Sequence, residues 1–253
     1  MSEIAHKYIV MSGKGGVGKS SVAANLAVWL STRGKQVGLL DADIHGPSVP
    51  TLLAVNGRRL VSDDSQRVLP IEYSRTLKVI SIGFMLANDN EPVIWRGPMK
   101  HNLIQQFVQD VEWGRLDYLV VDCPPGTGDE PLSVIQVLGG ADGAVIVTTP
   151  QELAAVDVRK CLTFCKQLSL PVLGIIENMS GFVCPHCAKR VDIFAGHSGE
   201  QMAEDFQVPF LGCVPIDPSL SAAGDCGKPF VTHDPQNPTA QALRHAFEPL
   251  LTT

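Results

Sequence analysis

Gly13-Lys14-Gly15-Gly16-Val17-Gly18-Lys19-Ser20 is the stretch on which the fold turns. It spells a glycine, four residues, then Gly-Lys-Ser. The apolar run Tyr8-Ile9-Val10-Met11 comes before it, and Val22 to Leu30 follows with apolar residues at helical spacing. Strand, glycine loop and helix in that order make a phosphate cradle. Glycines let consecutive backbone N–H groups turn inward, and the helix that follows adds the partial positive charge of its N-terminus. In such a cradle Lys19 reaches the β- and γ-phosphates and the Ser20 hydroxyl holds Mg²⁺. The stretch from Gly13 to Ser21 therefore reads as a nucleoside triphosphate site.

Outward from this loop, strand-like and helix-like segments alternate. Gln36–Leu40 reads as a strand ending at Asp41-Ala42-Asp43, and Leu77–Ile82 as another. Asn102–Val111 reads as a helix, Tyr118–Val121 as a buried strand ending at Asp122, and Gly143–Thr148 as a strand followed by a helix from about Leu153 to Leu168. Val172–Ile176 reads as a strand ending at Glu177-Asn178, while Asn56–Ser74 is polar and irregular, a loop or hairpin excursion. Near-continuous apolar strands separated by helices indicate an α/β fold, with a mostly parallel sheet covered on both faces. The 253 residues, 45% hydrophobic and 18% charged, suit one such domain spanning 1–253.

Ligands of parallel sheets sit beyond the carboxyl ends of the strands. The glycine loop, Asp41, Asp43, Asp122 and Asn178 all fall at those ends. Asp122 opens Asp122-Cys123-Pro124-Pro125-Gly126-Thr127-Gly128-Asp129, and a carboxylate there suits Mg²⁺ held directly or through water. Gly126 is placed to offer its N–H to the γ-phosphate. Asp43 is the candidate for orienting the attacking water, and Asp41 for Mg²⁺ or its water shell. Asp129 reads as a helix or turn cap.

A net charge of −6 argues against a broad nucleic-acid surface. No apolar run reaches the length of a membrane span, and the N-terminus lacks the pattern of a secretory signal, so a cytoplasmic protein is expected. The seven cysteines are odd in number, which favours metal or cluster ligation over a disulfide framework for any closely spaced pair.

Lys14-Gly15-Gly16-Val17-Gly18-Lys19-Ser20-Ser21 resembles the deviant Walker A loop of the MinD/ParA and nitrogenase iron protein class of P-loop NTPases. More closely, the chain resembles the Mrp/ApbC iron–sulfur cluster carrier family. Asp41-Ala42-Asp43-Ile44-His45-Gly46-Pro47-Ser48 is similar to that family's first switch. Trp95-Arg96-Gly97-Pro98-Met99, the block from Asp122 to Asp129, and Glu177-Asn178-Met179-Ser180 followed by Cys184-Pro185-His186-Cys187 are similar to further blocks. The resemblance implies a homodimer in which Lys14 crosses to the partner's nucleotide. It implies slow ATP hydrolysis with Mg²⁺, and catalytic roles for Lys14, Lys19 and Asp43. Asn178 would contact adenine, as would the loop holding Pro215 and Asp217. The partners implied are apo iron–sulfur clients and a cluster assembly scaffold, with no nucleic acid and no membrane.

Cys184 and Cys187 place two soft thiolates on one tight turn, which suits an iron–sulfur cluster or zinc. One pair is half a tetrahedral site. The same pair on a second subunit would complete four thiolates, enough for a bridging 4Fe-4S cluster, and the family resemblance implies the same arrangement. Zinc at these thiols, with His186 or His197 as further donors, stays open. Two other readings also stay open: a MinD/ParA-like spatial regulator, and a nitrogenase-iron-protein-like electron donor. A regulator needs a membrane helix or a DNA-binding surface, and the tail from Ala242 to Leu251 has few basic residues and a proline, so it is expected to dock on its own core. Cys161 and Cys165, one helical turn apart, are expected in the core, and Cys123, Cys213 and Cys226 are read as structural.

Overall fold

The computed structural model describes residues 3–64, 67–85, 97–184, 186–187, 189–194, 196 and 198–251, with the backbone alone for 97–101 and Leu153. The Trp95-Arg96 half of one family block, Pro185 and His197 lie outside the described residues. In chain order the elements are β1 (Ile4–Met11), α1 (Lys19–Thr32), β2 (Val37–Asp41), α2 (Val49–Leu52), β3 (Val61–Ser62), β4 (Val68–Leu69), β5 (Ile71–Ser74), β6 (Leu77–Ser81), α3 (Gly97–Gln109) and β7 (Leu116–Asp122). There follow α4 (Asp129–Val137), β8 (Gly143–Thr148), α5 (Glu152–Gln167), β9 (Val172–Val183), β10 (Arg190–Val191), α6 (Ser198–Phe206), β11 (Phe210–Ile216), α7 (Pro218–Asp225), α8 (Phe230–His233) and α9 (Pro238–Phe247).

The main sheet runs β6-β2-β7-β1-β8-β9-β11 with every neighbouring pair parallel. The short strands β5 and β10 close its edges antiparallel to β6 and β9. Successive side chains of a strand point to opposite faces, and the core divides accordingly. Tyr8 and Val10 of β1, with Tyr118 and Val120 of β7, pack on one face against Leu26, Trp29 and Phe247. Ile9 and Met11, with Leu119 and Val121, pack on the other against Phe107, Val158 and Leu162. Both faces of these strands are dry, which is why their sequences are continuous apolar runs rather than alternations.

The C-terminal segment docks on the first of these layers, as expected. Leu243, Ala246, Phe247 and Leu250 are buried there, the Phe247 ring stands 5.9 Å from that of Trp29, and the Tyr8 hydroxyl donates to the Leu250 carbonyl at 3.0 Å. No helix among the described residues is long and apolar enough to cross a membrane.

Several sequence-based boundaries are corrected. α3 begins at Gly97 and ends at Gln109, earlier at both ends than the expected Asn102–Val111. The polar Asn56–Ser74 region is the hairpin excursion expected, holding the β3–β4 hairpin, with the edge strand β5 added. β9 does not stop at Glu177-Asn178. It continues to Val183, because β11 pairs with it as far as Phe182 and β10 takes over at its tip. Asp129 is the first residue of α4, after the N-cap Gly128, so it favours the helix through its charge near the positive end rather than by capping.

Candidate nucleotide site and cysteine hairpin

The glycine loop leaves β1 and enters α1 at the carboxyl end of the sheet. Gly13 lies so close to α5 that a Cβ there would overlap the Asp157 carbonyl. Gly18 has φ +86°, a left-handed conformation that costs other residues energy, and caps α1 with its backbone. Gly18 offers no side-chain cap and no acidic residue sits in the first turn of α1, so among the described residues its leading N–H groups are left to the backbone loop. A Cβ on Gly15 or Gly16 would meet nothing within 4 Å. An uncapped helix start below an open loop is the arrangement an oligophosphate needs.

Parallel pairing of β2 with β7 puts Asp41 level with Asp122, and both are fully buried. Lys19 projects between them and donates to Asp122 Oδ1 at 2.5 Å, with Asp43 Oδ2 at 3.9 Å. Burial alone would lower the Lys19 pKa, but Asp122, Asp43 and Asp41 outweigh it and hold it above the ordinary value. Burial pushes Asp41 up to about 8, and the neighbouring Asp122 charge adds to the effect. Burial also raises Asp122, opposed first by Lys19. One lysine faces two fully buried carboxylates, so burial and the Asp122 charge favour the protonated form of Asp41. Among the described residues Asp122 Oδ2 has no hydrogen-bond partner of good geometry, although the Ser20 hydroxyl lies near enough to help lower the Asp122 pKa. A buried carboxylate oxygen left unsatisfied beside Ser20 fits a Mg²⁺ ion or a water bound to one. The oxygens of Asp41 are already used: Asp43 N, Ser81 Oγ and Val49 N donate to them at 3.2, 2.9 and 3.3 Å.

The structure brings the other expected residues to the same end of the sheet in specific roles. Asp43 Oδ1 accepts from the N–H groups of His45 and Gly46, each at 3.2 Å, which fixes its turn. Gly126, at φ +90°, donates its N–H to the Ser12 carbonyl at 2.8 Å, one residue before the glycine loop. Lys14 Nζ donates to Gln151 Oε1 of its own chain at 3.0 Å. Asn178 donates to the Val17 carbonyl at 2.9 Å, so β9 braces the loop through this side chain. Asp217 caps α7 by accepting from Ser219 N at 2.8 Å. Pro215 and Asp217 line an apolar groove of about 430 Å³ with Phe182, Ile216 and Pro238. Sequence reasoning did not assign Ser12, Ser81, Gln151 or Glu130. The available signal was position, since Ser12, Ser81 and Gln151 each stand within three residues of the carboxyl end of a parallel strand.

Beyond Asn178, β9 carries the chain to the cysteines. Cys184 follows the last residue of β9, and its N–H donates to the Lys189 carbonyl at 3.0 Å to close a hairpin with β10. Cys184 is half-buried and Cys187 exposed. The N–H of His186 holds the Cys184 thiol below its ordinary pKa, helped by the N–H and thiol of Cys187. Such a turn favours thiolate, the form that binds iron or zinc. Among the described residues no group of three or more His, Cys, Asp or Glu side chains is arranged to hold a metal ion. Val183, Val191 and Ile193 around it are 49%, 51% and 51% exposed, an unusual apolar rim. Cys123, Cys161 and Cys165 are buried in the core. Burial drives the Cys123 thiol well above its ordinary value.

Comparison with known proteins bears on both halves. Residues 3–251 match the ParA family model described as NUBPL iron-transfer P-loop NTPase. An iron–sulfur cluster carrier protein of Methanocaldococcus jannaschii is 50% identical over 92% of this chain and 80% of its own length. A cytosolic Fe-S cluster assembly factor NUBP2 homolog of Culex quinquefasciatus is 51% identical over 96% of each. The solved nucleotide-binding protein of Archaeoglobus fulgidus, in complex with ADP, is 42% identical and superposes with a TM-score of 0.79 over 90% of this chain and 88% of its own. With the loop, the strand-end carboxylates and the hairpin cysteines all in place, the chain belongs to the ParA family of NUBPL-type iron-transfer P-loop NTPases.

Proposed function

We propose that this chain is an ATP-dependent iron–sulfur cluster carrier, in which two copies hold a 4Fe-4S cluster between them and deliver it to apoproteins. The observation that carries the reading is the course of β9. The same strand braces the nucleotide loop through Asn178 and ends at the two-thiol turn of Cys184 and Cys187. One hydrogen bond, from Asn178 to the Val17 carbonyl, joins the loop to the strand that leads to the thiols. The half site and its exposed apolar rim suit a second copy, whose matching cysteines would supply the missing thiolates. Relatives named as cluster carriers and as a cytosolic assembly factor support the same cargo and a cytosolic setting.

In this reading the Gly13–Ser21 backbone and Lys19 cradle the phosphates. Ser20 and Asp122 hold Mg²⁺, which when bound spreads the charge developing on the phosphates. To bind ATP, Lys19 turns from Asp122 toward the phosphates, and Gly126 releases the Ser12 carbonyl to face the γ-phosphate. Asp43 orients the attacking water. Asp41, its oxygens already occupied, holds the backbone turn at Asp43 and Val49. Lys14 leaves Gln151 to reach the nucleotide of the second copy. Asn178 and the Pro215–Asp217 loop border the adenine. Clients are apoproteins with vacant cysteine sites, loaded in turn from an assembly scaffold.

Anaerobic incubation with ferrous iron and sulfide should give a brown dimer containing about four irons per two chains. Mixing it with an apo-ferredoxin and Mg-ATP should move the chromophore to the acceptor. A colourless product, or a coloured one whose cluster never reaches an acceptor, would sink the carrier reading.

A further inference from the structure

Two loops leave neighbouring strands at the nucleotide end, one after β2 and one after β7, and a contact joins them farther out. His45 Nε2 lies 3.1 Å from Glu130 Oε1. His45 belongs to the turn that follows Asp43, and Glu130 is the second residue of α4. The His45 backbone N–H is itself one of the two donors to Asp43 Oδ1. The histidine therefore touches Asp43 through its main chain and α4 through its ring. We propose that Glu130 is a positioning residue for ATP hydrolysis: through His45 it fixes the turn that aims Asp43, tying the first switch loop to the loop that carries Gly126.

The physical case rests on what the turn lacks without it. Residues 42–48 carry no regular secondary structure, and Asp43 is held by bonds of 3.2 Å within the same few residues. Bonds made inside a short loop fix its shape but not its placement against the sheet. Asp41 anchors the near end, through Ser81 and the N–H groups of Asp43 and Val49. The His45–Glu130 contact ties the turn to α4. Asp43 Oδ2 stands 3.9 Å from Lys19, so a small rotation of the turn would change its relation to the phosphates. Reacting groups displaced by about 1 Å lose rate steeply, by up to about a hundredfold. Because α4 begins three residues after Gly126, a movement of Gly126 toward a γ-phosphate would pull on the same contact.

The proposal rests on the ATPase reading given above, and the experiment separates the two. Steady-state hydrolysis of Mg-ATP is measured on the purified full chain and on Glu130→Ala, His45→Ala, the double variant and Glu130→Gln, with ATP affinity followed by calorimetry. Each alanine variant should lower kcat about tenfold with KM and affinity within about twofold. The double variant should be no slower than either single one, since the two residues act as a unit. Glu130→Gln keeps the acceptor oxygen and should recover most of the rate. A Glu130→Ala protein that hydrolyses ATP at the parental rate, or additive losses in the double variant, overturns the positioning role and leaves the ATPase intact. A parent protein that binds ATP without hydrolysing it overturns both.

Discussion

At Asn178 the strand β9 is inside the protein, just past its last pairing with β8, still paired with β11 and braced against the glycine loop; a few residues on, at Val183 and the cysteine turn, it stands in solvent. The nucleotide end is enclosed by its own chain, with the proposed Lys14 of a second copy its one outside contribution. Its carboxylates are buried, its lysine is paired, and its loop is wedged against α5. The cysteine end is shaped, with backbone N–H groups already turned on the Cys184 sulfur, but among the described residues it gathers no group of three or more metal-binding side chains. Completeness follows burial here: a parallel sheet can enclose polar groups at its carboxyl end, whereas a hairpin that overruns the edge has nothing to enclose it. The unfinished end is where a second molecule has something to add.

The strongest way to break this contrast is to remove a thiol. Cys184→Ser and Cys187→Ser should each abolish cluster binding, read as loss of visible absorbance and of bound iron and sulfide. ATP affinity should stay within about twofold of the parent, because neither thiol contacts the loop. If either variant lost ATP binding too, the two ends would be one site.

The next test acts on the finished end. Gly13→Ala forces a methyl group into the Asp157 carbonyl, and should cost about 3 kcal/mol in denaturant unfolding and displace the loop enough to lose ATP. Gly15→Ala meets open space, and its stability should lie within about 1 kcal/mol of the parent. Equal losses at the two positions would show that the wedge against α5 is not what holds the loop.

A smaller effect comes from the buried carboxylates. Asp41 titrates at about 8 in the folded chain against 3.8 for a free aspartate. The folded state therefore keeps a proton that the unfolded chain releases, so stability falls as pH rises between those values. The nucleotide-free protein should melt a few degrees lower at pH 8 than at pH 6, on a scale where about 1 kcal/mol moves Tm by roughly 2–4 °C. Asp41→Asn should flatten that slope. Mg-ATP, by supplying positive charge beside Asp122, should flatten it in the parent. A parent whose Tm rises across this interval would contradict the protonated Asp41.

The pattern of loop, strand ends and cysteine pair was legible because each is a local signal: a glycine spacing, an apolar run that stops at an aspartate, two thiols three residues apart. The parallel sheet follows from those runs, and the model bears it out. Sequence spacing could not distinguish Gly13 from Gly15, since only the approach of α5 from far along the chain makes the first obligatory. Nor could it give the length of β9, whose polar Glu177-Asn178-Met179-Ser180 segment looks like a strand end. That segment stays in the strand because Glu177 is buried and accepts from Ser180 Oγ at 2.8 Å and from the N–H of Gly199 at 2.9 Å. The resemblance gives Asn178 to adenine, whereas in the structure its amide donates to the Val17 carbonyl of the loop. The His45–Glu130 contact joins positions 85 residues apart, and no periodicity reports such a pair.

The gentlest probe separates shape from charge at the exposed end. Arg190 Nε donates to Asp192 Oδ1 at 3.1 Å on the hairpin, and both side chains are more than half exposed. An ion pair in water gains little, since screening and side-chain entropy offset the attraction. Asp192→Asn should therefore change stability by less than about 0.5 kcal/mol, and cluster loading should not change at all. The Lys19–Asp122 pair is the opposite case. Both partners are buried, and Asp122→Asn leaves the lysine charge without its closest counterion, so the loss should be about 3 kcal/mol or more in the absence of nucleotide. Measured side by side, the two aspartates would show whether the cysteine hairpin owes its form to backbone pairing with β9 alone. A hairpin that fails to load iron after so mild a change at Asp192 would mean that charge, as well as the turn, sets the position of the thiols.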